Sequence, residues 1–207
     1  RGFFFAPSPL CLSLGLSLVS TPDRPGPVER AANANIARHL TSMAARLPDM
    51  PALKIPCGRT SAGDISYLVL TFAELAAEVD TWRGFLASRG VRRGDRALVM
   101  VRPGLPLIAS VFAIFQLGAV PVIIDPGMGL RNFLGCVTRS RPRVLVGIPF
   151  ARLVSRIFRS AFSSVVVRVP VSGSLVARLD TRRPVPGASL PPVFSSTSDL
   201  AAVLFTS

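Results

Sequence analysis

Four short, mostly apolar runs, residues 97–101, 120–124, 144–148 and 165–169, are separated by three stretches with helical spacing, residues 106–117, 130–139 and 150–159. This alternation constrains the fold more than any other feature of the chain. The first run, Ala-Leu-Val-Met-Val, is unbroken, as suits a strand buried on both faces. A strand, a covering helix and a second strand close into a right-handed parallel unit. Repeated three times, the unit predicts an α/β fold built on a largely parallel, doubly wound sheet. The punctuation agrees: Pro103-Gly104 and residues 125–129 turn the chain into helices, Gly118 ends the first helix and Pro149 opens the third.

Upstream, Ile36, Leu40, Met43 and Leu47 recur at helical spacing, with Asn33 or Asn35 available as a cap and Pro48 as a stop. Residues 52–55 and 65–70 read as two strands of a hairpin whose turn is residues 58–64. Thr71-Phe72-Ala73-Glu74 is a capping box, and Leu75, Val79, Trp82 and Leu86 mark the buried face of the helix it opens, which Gly90 ends. Glu74, Glu78 and Asp80 then read as first-turn and solvent-face charges, and His39 as a polar residue on an exposed helix face. Residues 170–198, rich in Ser, Pro, Gly and Arg, predict a long excursion. A last strand, residues 200–205, precedes Thr206-Ser207 with no helix to cover it. Residues 1–30 read as a leader or upstream overhang: residues 3–19 are apolar but carry two prolines, and residues 21–28 are Pro-rich. A secretion signal is the alternative reading of that stretch.

The net charge of +13 raises nucleic acid as a partner. The distribution argues against it, because Lys54 is the only lysine and the arginines are scattered singly from Arg59 to Arg183, not gathered into a stripe with interleaved aromatics. Cys11, Cys57 and Cys136 have neither disulfide nor zinc spacing, which fits a reduced, cytoplasmic location. His39 is the only histidine, which removes any Ser-His-Asp or Cys-His arrangement beside a nucleophile elsewhere in the chain. Gly127-Met128-Gly129 sits between a strand and a helix, yet Asn132 stands where a dinucleotide fingerprint needs its third glycine. Between Asp125 and Asp180 there is no Asp or Glu at all, so the acid that would hold a ribose is missing, as are paired catalytic carboxylates and a hard-metal cage. Asp125 itself reads as a turn-capping residue before Pro126.

Three longer stretches carry the functional signal. They are Ser66-Tyr67-Leu68-Val69-Leu70-Thr71-Phe72-Ala73-Glu74-Leu75, Gly90-Val91-Arg92-Arg93-Gly94-Asp95-Arg96, and Phe115-Gln116-Leu117-Gly118-Ala119-Val120-Pro121-Val122-Ile123-Ile124-Asp125-Pro126. In this order and spacing they resemble the opening of the adenylate-forming superfamily, which includes acyl-CoA synthetases, peptide-synthetase adenylation domains and luciferases. Ala202-Val203-Leu204-Phe205-Thr206-Ser207 is similar to the strand that delivers the family's phosphate loop, so residues 31–207 would be the first part of its large α/β domain. The resemblance implies ATP and Mg2+ as cofactors, with CoA as an acyl acceptor in many members, and a carboxylic acid as substrate. It marks Thr206 and Ser207 as the start of the phosphate-binding loop and assigns no catalytic residue to these 207 positions, so the chain alone is expected to be inactive. Arg102-Pro103-Gly104-Leu105-Pro106 and Ile124-Asp125-Pro126-Gly127-Met128-Gly129 resemble the branch that handles long-chain fatty acids and β-hydroxy acids, part of which closes β-lactones in olefin biosynthesis. The rival expectation is a non-catalytic α/β binding module attached peripherally to a membrane.

Overall fold

In a computed structural model of the chain, residues 33–171 and 191–206 are described. The leader, the middle of the 170–198 excursion and Ser207 lie outside these residues. In chain order the elements are α1 (Ala37–Arg46), β1 (Pro51–Arg59), β2 (Ile65–Thr71), α2 (Phe72–Ser88), β3 (Arg96–Met100), α3 (Leu105–Gln116), β4 (Val120–Ile124), a 3-10 turn (Pro126–Met128), α4 (Leu130–Ser140), β5 (Val144–Gly147), α5 (Pro149–Ile157), β6 (Val167–Pro170) and β7 (Val203–Phe205).

Strands β3 to β7 form one sheet in the order β6-β5-β3-β4-β7, and every pairing in it is parallel. The chain leaves β3 toward β4 on one side, crosses back to β5 and β6 on the other, and returns to place β7 beside β4. Right-handed crossovers in opposite directions must put their helices on opposite faces. The two cores follow that rule. Ala97, Val99, Val144 and Val146 pack with α2 and α3 on one face, while Leu98, Val122, Ile124 and Leu145 pack with Phe133 and Val137 of α4 and Val154 of α5 on the other. The sheet is therefore doubly wound, with successive residues of each strand feeding alternate cores.

Helix α2 follows its sequence closely. The Thr71 hydroxyl accepts from Glu74 N at 3.2 Å and the Glu74 carboxylate from Thr71 N at 2.8 Å, closing the capping box. Leu75, Val79, Trp82 and Leu86 are all buried, and Gly90 ends the helix at φ +83. Glu78 and Asp80 correct the solvent-face reading: Trp82 Nε1 donates to Glu78 Oε1 at 3.0 Å, and Asp80 Oδ1 is buried. The burial of Trp82 brings its i−4 neighbour inward with it, because an indole N–H taken out of water needs an acceptor.

Several boundaries also differ: β1 runs to Arg59, into the stretch expected as turn, β6 starts at Val167, and three further cases have a visible cause. In α1 only Ala37 and Leu40 are buried, whereas Ile36 and Leu47 flank the helix and are 53% and 42% exposed. Asn35, 5% exposed, replaces them as the anchor: its Oδ1 accepts from Ala37 N, and its Nδ2 donates to Phe115 O at 2.7 Å and Val193 O at 3.0 Å. The excursion is pinned from Val193 onward, since Val193 N donates to Gln116 O and Ser195 N to Asn33 Oδ1. Strand β7 starts three residues late, because Asp199 is held in a turn by Ser196 N and by Arg93.

Candidate functional site

In an open parallel sheet the loops leaving the carboxyl ends of the strands share one edge, and a crevice opens where neighbouring connections run in opposite directions. Here β3 leads toward β4 and β5 leads toward β6, so the connections diverge between β3 and β5. Around that point lie the turn after β3 (residues 101–104), the turn after β4 (residues 125–129), Ile148 after β5, Val171 after β6 and Thr206 after β7.

Backbone bonds draw these turns together. Ile148 N donates to Met100 O at 3.1 Å, Val171 N to Gly147 O at 2.9 Å, and Asp125 N to Phe205 O at 3.0 Å. The last seats Thr206, which is exposed, beside the turn after β4. Asp125 performs the turn-capping role expected of it, its Oδ1 accepting from Gly127 N at 2.8 Å. Gly147 is required by close approach, because a Cβ there would stand 2.7 Å from the Ala151 Cβ.

Helices α3, α4 and α5 each begin at this edge, behind Gly104, Gly129 and Ile148. None has a side-chain cap, and none has an acidic residue in its first turn. An α-helix leaves its first amide N–H groups unpaired and carries a partial positive charge there. Three uncapped starts at one sheet edge, tempered by the Asp125 carboxylate beside them and by Pro106 and Pro149, which lack an N–H, make it suited to an anionic ligand carrying phosphate or carboxylate. The signal for this arrangement is the stretch from 96 to 179, whose only carboxylate is Asp125; the convergence of the three starts at one edge depends on strand order.

Of the two residues the resemblance marks, Thr206 lies at this edge and Ser207 falls outside the described residues. Among the described residues no group of three or more His, Cys, Asp or Glu is placed to hold a metal ion.

A cavity of about 370 Å³ opens at the opposite edge, lined by Asn35, Arg93, Arg96, Phe115, Gly118 and Asp199 among others. Its polar groups are engaged in structure: Arg93 pairs with Asp199 at 3.1 Å, Arg96 donates to Ser140 O, and Asn35 holds Phe115 and Val193.

The chain matches the model of the AMP-binding enzyme family over residues 40–207. It is 38% identical over 179 residues to an olefin β-lactone synthetase of Xanthomonas campestris pv. campestris, covering 84% of this chain and 32% of that protein. It is 39% identical over 183 residues to an olefin β-lactone synthetase of Stenotrophomonas maltophilia, with the same two coverages. The chain thus spans about a third of the length of these curated relatives. Its fold is similar to part of the N-terminal domain of FACL13 from Mycobacterium tuberculosis, with a TM-score of 0.64 at 20% identity, covering 84% of this chain and 42% of that structure. A parallel sheet wound in both directions, the capping-box helix that precedes it and the family match over residues 40–207 lead to one assignment: this chain belongs to the AMP-binding, adenylate-forming ligase family.

Proposed function

We propose that the chain forms the first part of the large domain of an AMP-forming ligase that activates a long-chain fatty acid or β-hydroxy acid. In that reaction a carboxylate oxygen attacks the α-phosphorus of ATP, the bond to the β-phosphate oxygen breaks, and acyl-adenylate and pyrophosphate result. The acyl group then passes to CoA as a thioester or closes as a β-lactone. The similarity to two olefin β-lactone synthetases supports the β-hydroxy branch. Residues 1–30 are a leader or upstream overhang, and residues 31–207 the opening part of this domain.

The observation that carries the reading is the 3.0 Å bond from Asp125 N to Phe205 O, which brings Thr206 to the edge where α3, α4 and α5 start uncapped. A hydroxyl-bearing turn entering there would meet anionic phosphates already favoured by the helix ends. Acyl activation of this kind depends on positioning and on charge stabilisation at the phosphates, not on a nucleophile of the protein. The 207 residues alone are inactive, because nothing in them supplies the rest of the phosphate cradle.

The test is the reading frame beyond codon 207. It is expected to continue as Gly-Ser/Thr-Thr/Ser-Gly-x-Pro-Lys-Gly, in which glycine amides and a lysine would complete the cradle. An unrelated continuation would remove the ligase reading and leave the fold.

A further inference from the structure

Helix α5 is apolar on two faces. Ala151 and Val154 are buried against the sheet, whereas Phe150, Leu153 and Ile157 stand out of the molecule at 65%, 52% and 63% exposure. At about 100° per residue these three share one stripe, and Arg152 and Arg156 share the stripe beside it, Arg156 exposed and Arg152 half-buried. Arg159, just past the helix, is exposed as well. In the same layer α4 adds exposed Arg131 and Arg139, with Leu130 54% exposed. No Asp or Glu occurs from 126 to 179, so neither helix carries a carboxylate to answer these arginines.

From this arrangement we infer that the outer face of α4 and α5 docks on an anionic lipid bilayer. The inference goes beyond the ligase reading and does not depend on it. Charge decides the occupant. An anionic bilayer presents a spread negative potential that can meet arginines distributed over two helices, and each cation near such a surface gains attraction. Its headgroup boundary also accepts bulky apolar side chains to a shallow depth, as an interfacial helix with Phe and Leu beside arginine requires. Among the described residues no helix is long and apolar enough to cross a membrane, so the contact lies on the surface.

The experiment is flotation of the full 207-residue chain with phosphatidylcholine vesicles, with and without phosphatidylglycerol, at low and high salt. The chain is expected to float with the anionic vesicles only, and less so as salt screens the arginines. The pairs Leu153→Gln with Ile157→Gln, and Arg152→Gln with Arg156→Gln, are each expected to lower the floated fraction about tenfold. The single variant Phe150→Ser, changed at an exposed position, gives the same reading where a double variant loses the fold. Three results would overturn the inference: no flotation with anionic vesicles, equal flotation with both lipids, or flotation unchanged by the α5 variants, which would assign it to the apolar residues 3–19. Retention on immobilised polyglutamate without flotation would overturn it in favour of an acidic protein partner.

Discussion

At the N-terminal edge of the five-stranded sheet, side chains add to the backbone bonds that join neighbouring strands, whereas at the C-terminal edge the turns are joined by backbone bonds and held close by glycine. Arg143 at the start of β5 donates to Asp95 Oδ2 at 2.6 Å and to Gly90 O, and Asp95 also receives Arg92 N. Arg93 reaches Asp199 ahead of β7. Across the sheet, three helices start without a cap. By contrast α2, which precedes the sheet, closes its own start with Thr71 and Glu74. A finished edge is stable and chemically idle; an unfinished one costs some helix stability and keeps its positive ends for a ligand.

That contrast can be broken by substitution. The largest effect is expected from Gly147→Val, where the new side chain collides with Ala151 under the C-terminal edge and forces β5 and α5 apart. A loss of about 3 kcal/mol is expected in urea unfolding; a loss under about 1 kcal/mol would show that the edge gives way easily. Asp95→Ala comes next. It removes the acceptor of Arg143 and of Arg92 N, and the Asp95 side chain is only 13% exposed, so a loss of about 2 kcal/mol is expected by the same measurement. Thr71→Ala opens the capping box and is expected to cost about 1 kcal/mol. Arg93→Ala breaks a rim pair whose side chains are 55% and 43% exposed, so its effect stays under about 0.5 kcal/mol. That small effect should shrink further as salt is raised; a loss as large as that of Asp95→Ala would mean the N-terminal edge is held by its rim.

The parts of this architecture that were legible are those set by neighbours in sequence. Strand β4 has the bounds its residues predict, because Gly118 at φ +66 ends α3 just before it and Asp125 turns the chain just after it. The four buried positions of α2 follow from spacing alone. Strand order does not, since nothing local to β7 says that it lies beside β4, and only that pairing brings Thr206 to the open edge. Helix α1 misleads for a related reason: its apolar residues are periodic, yet Asn35, a polar residue, ties it to α3 and Val193 while Ile36 and Leu47 remain exposed. The Glu78–Trp82 contact lies between these cases. Its i, i+4 spacing is present in the sequence, but only the full burial of Trp82 makes the bond necessary.

Under the proposed function, the C-terminal edge of this sheet receives ATP phosphates and a carboxylic acid. The most direct measurement is ATP–pyrophosphate exchange by the product of the complete reading frame, with a long-chain fatty acid and a β-hydroxy acid each in turn, beside the 207-residue chain. Acid-dependent exchange is expected from the complete product, weakened about tenfold by Thr206→Ala without a change in thermal unfolding, and none from the 207 residues alone. Exchange by the 207-residue chain, or its absence from the complete product with either acid, would contradict it.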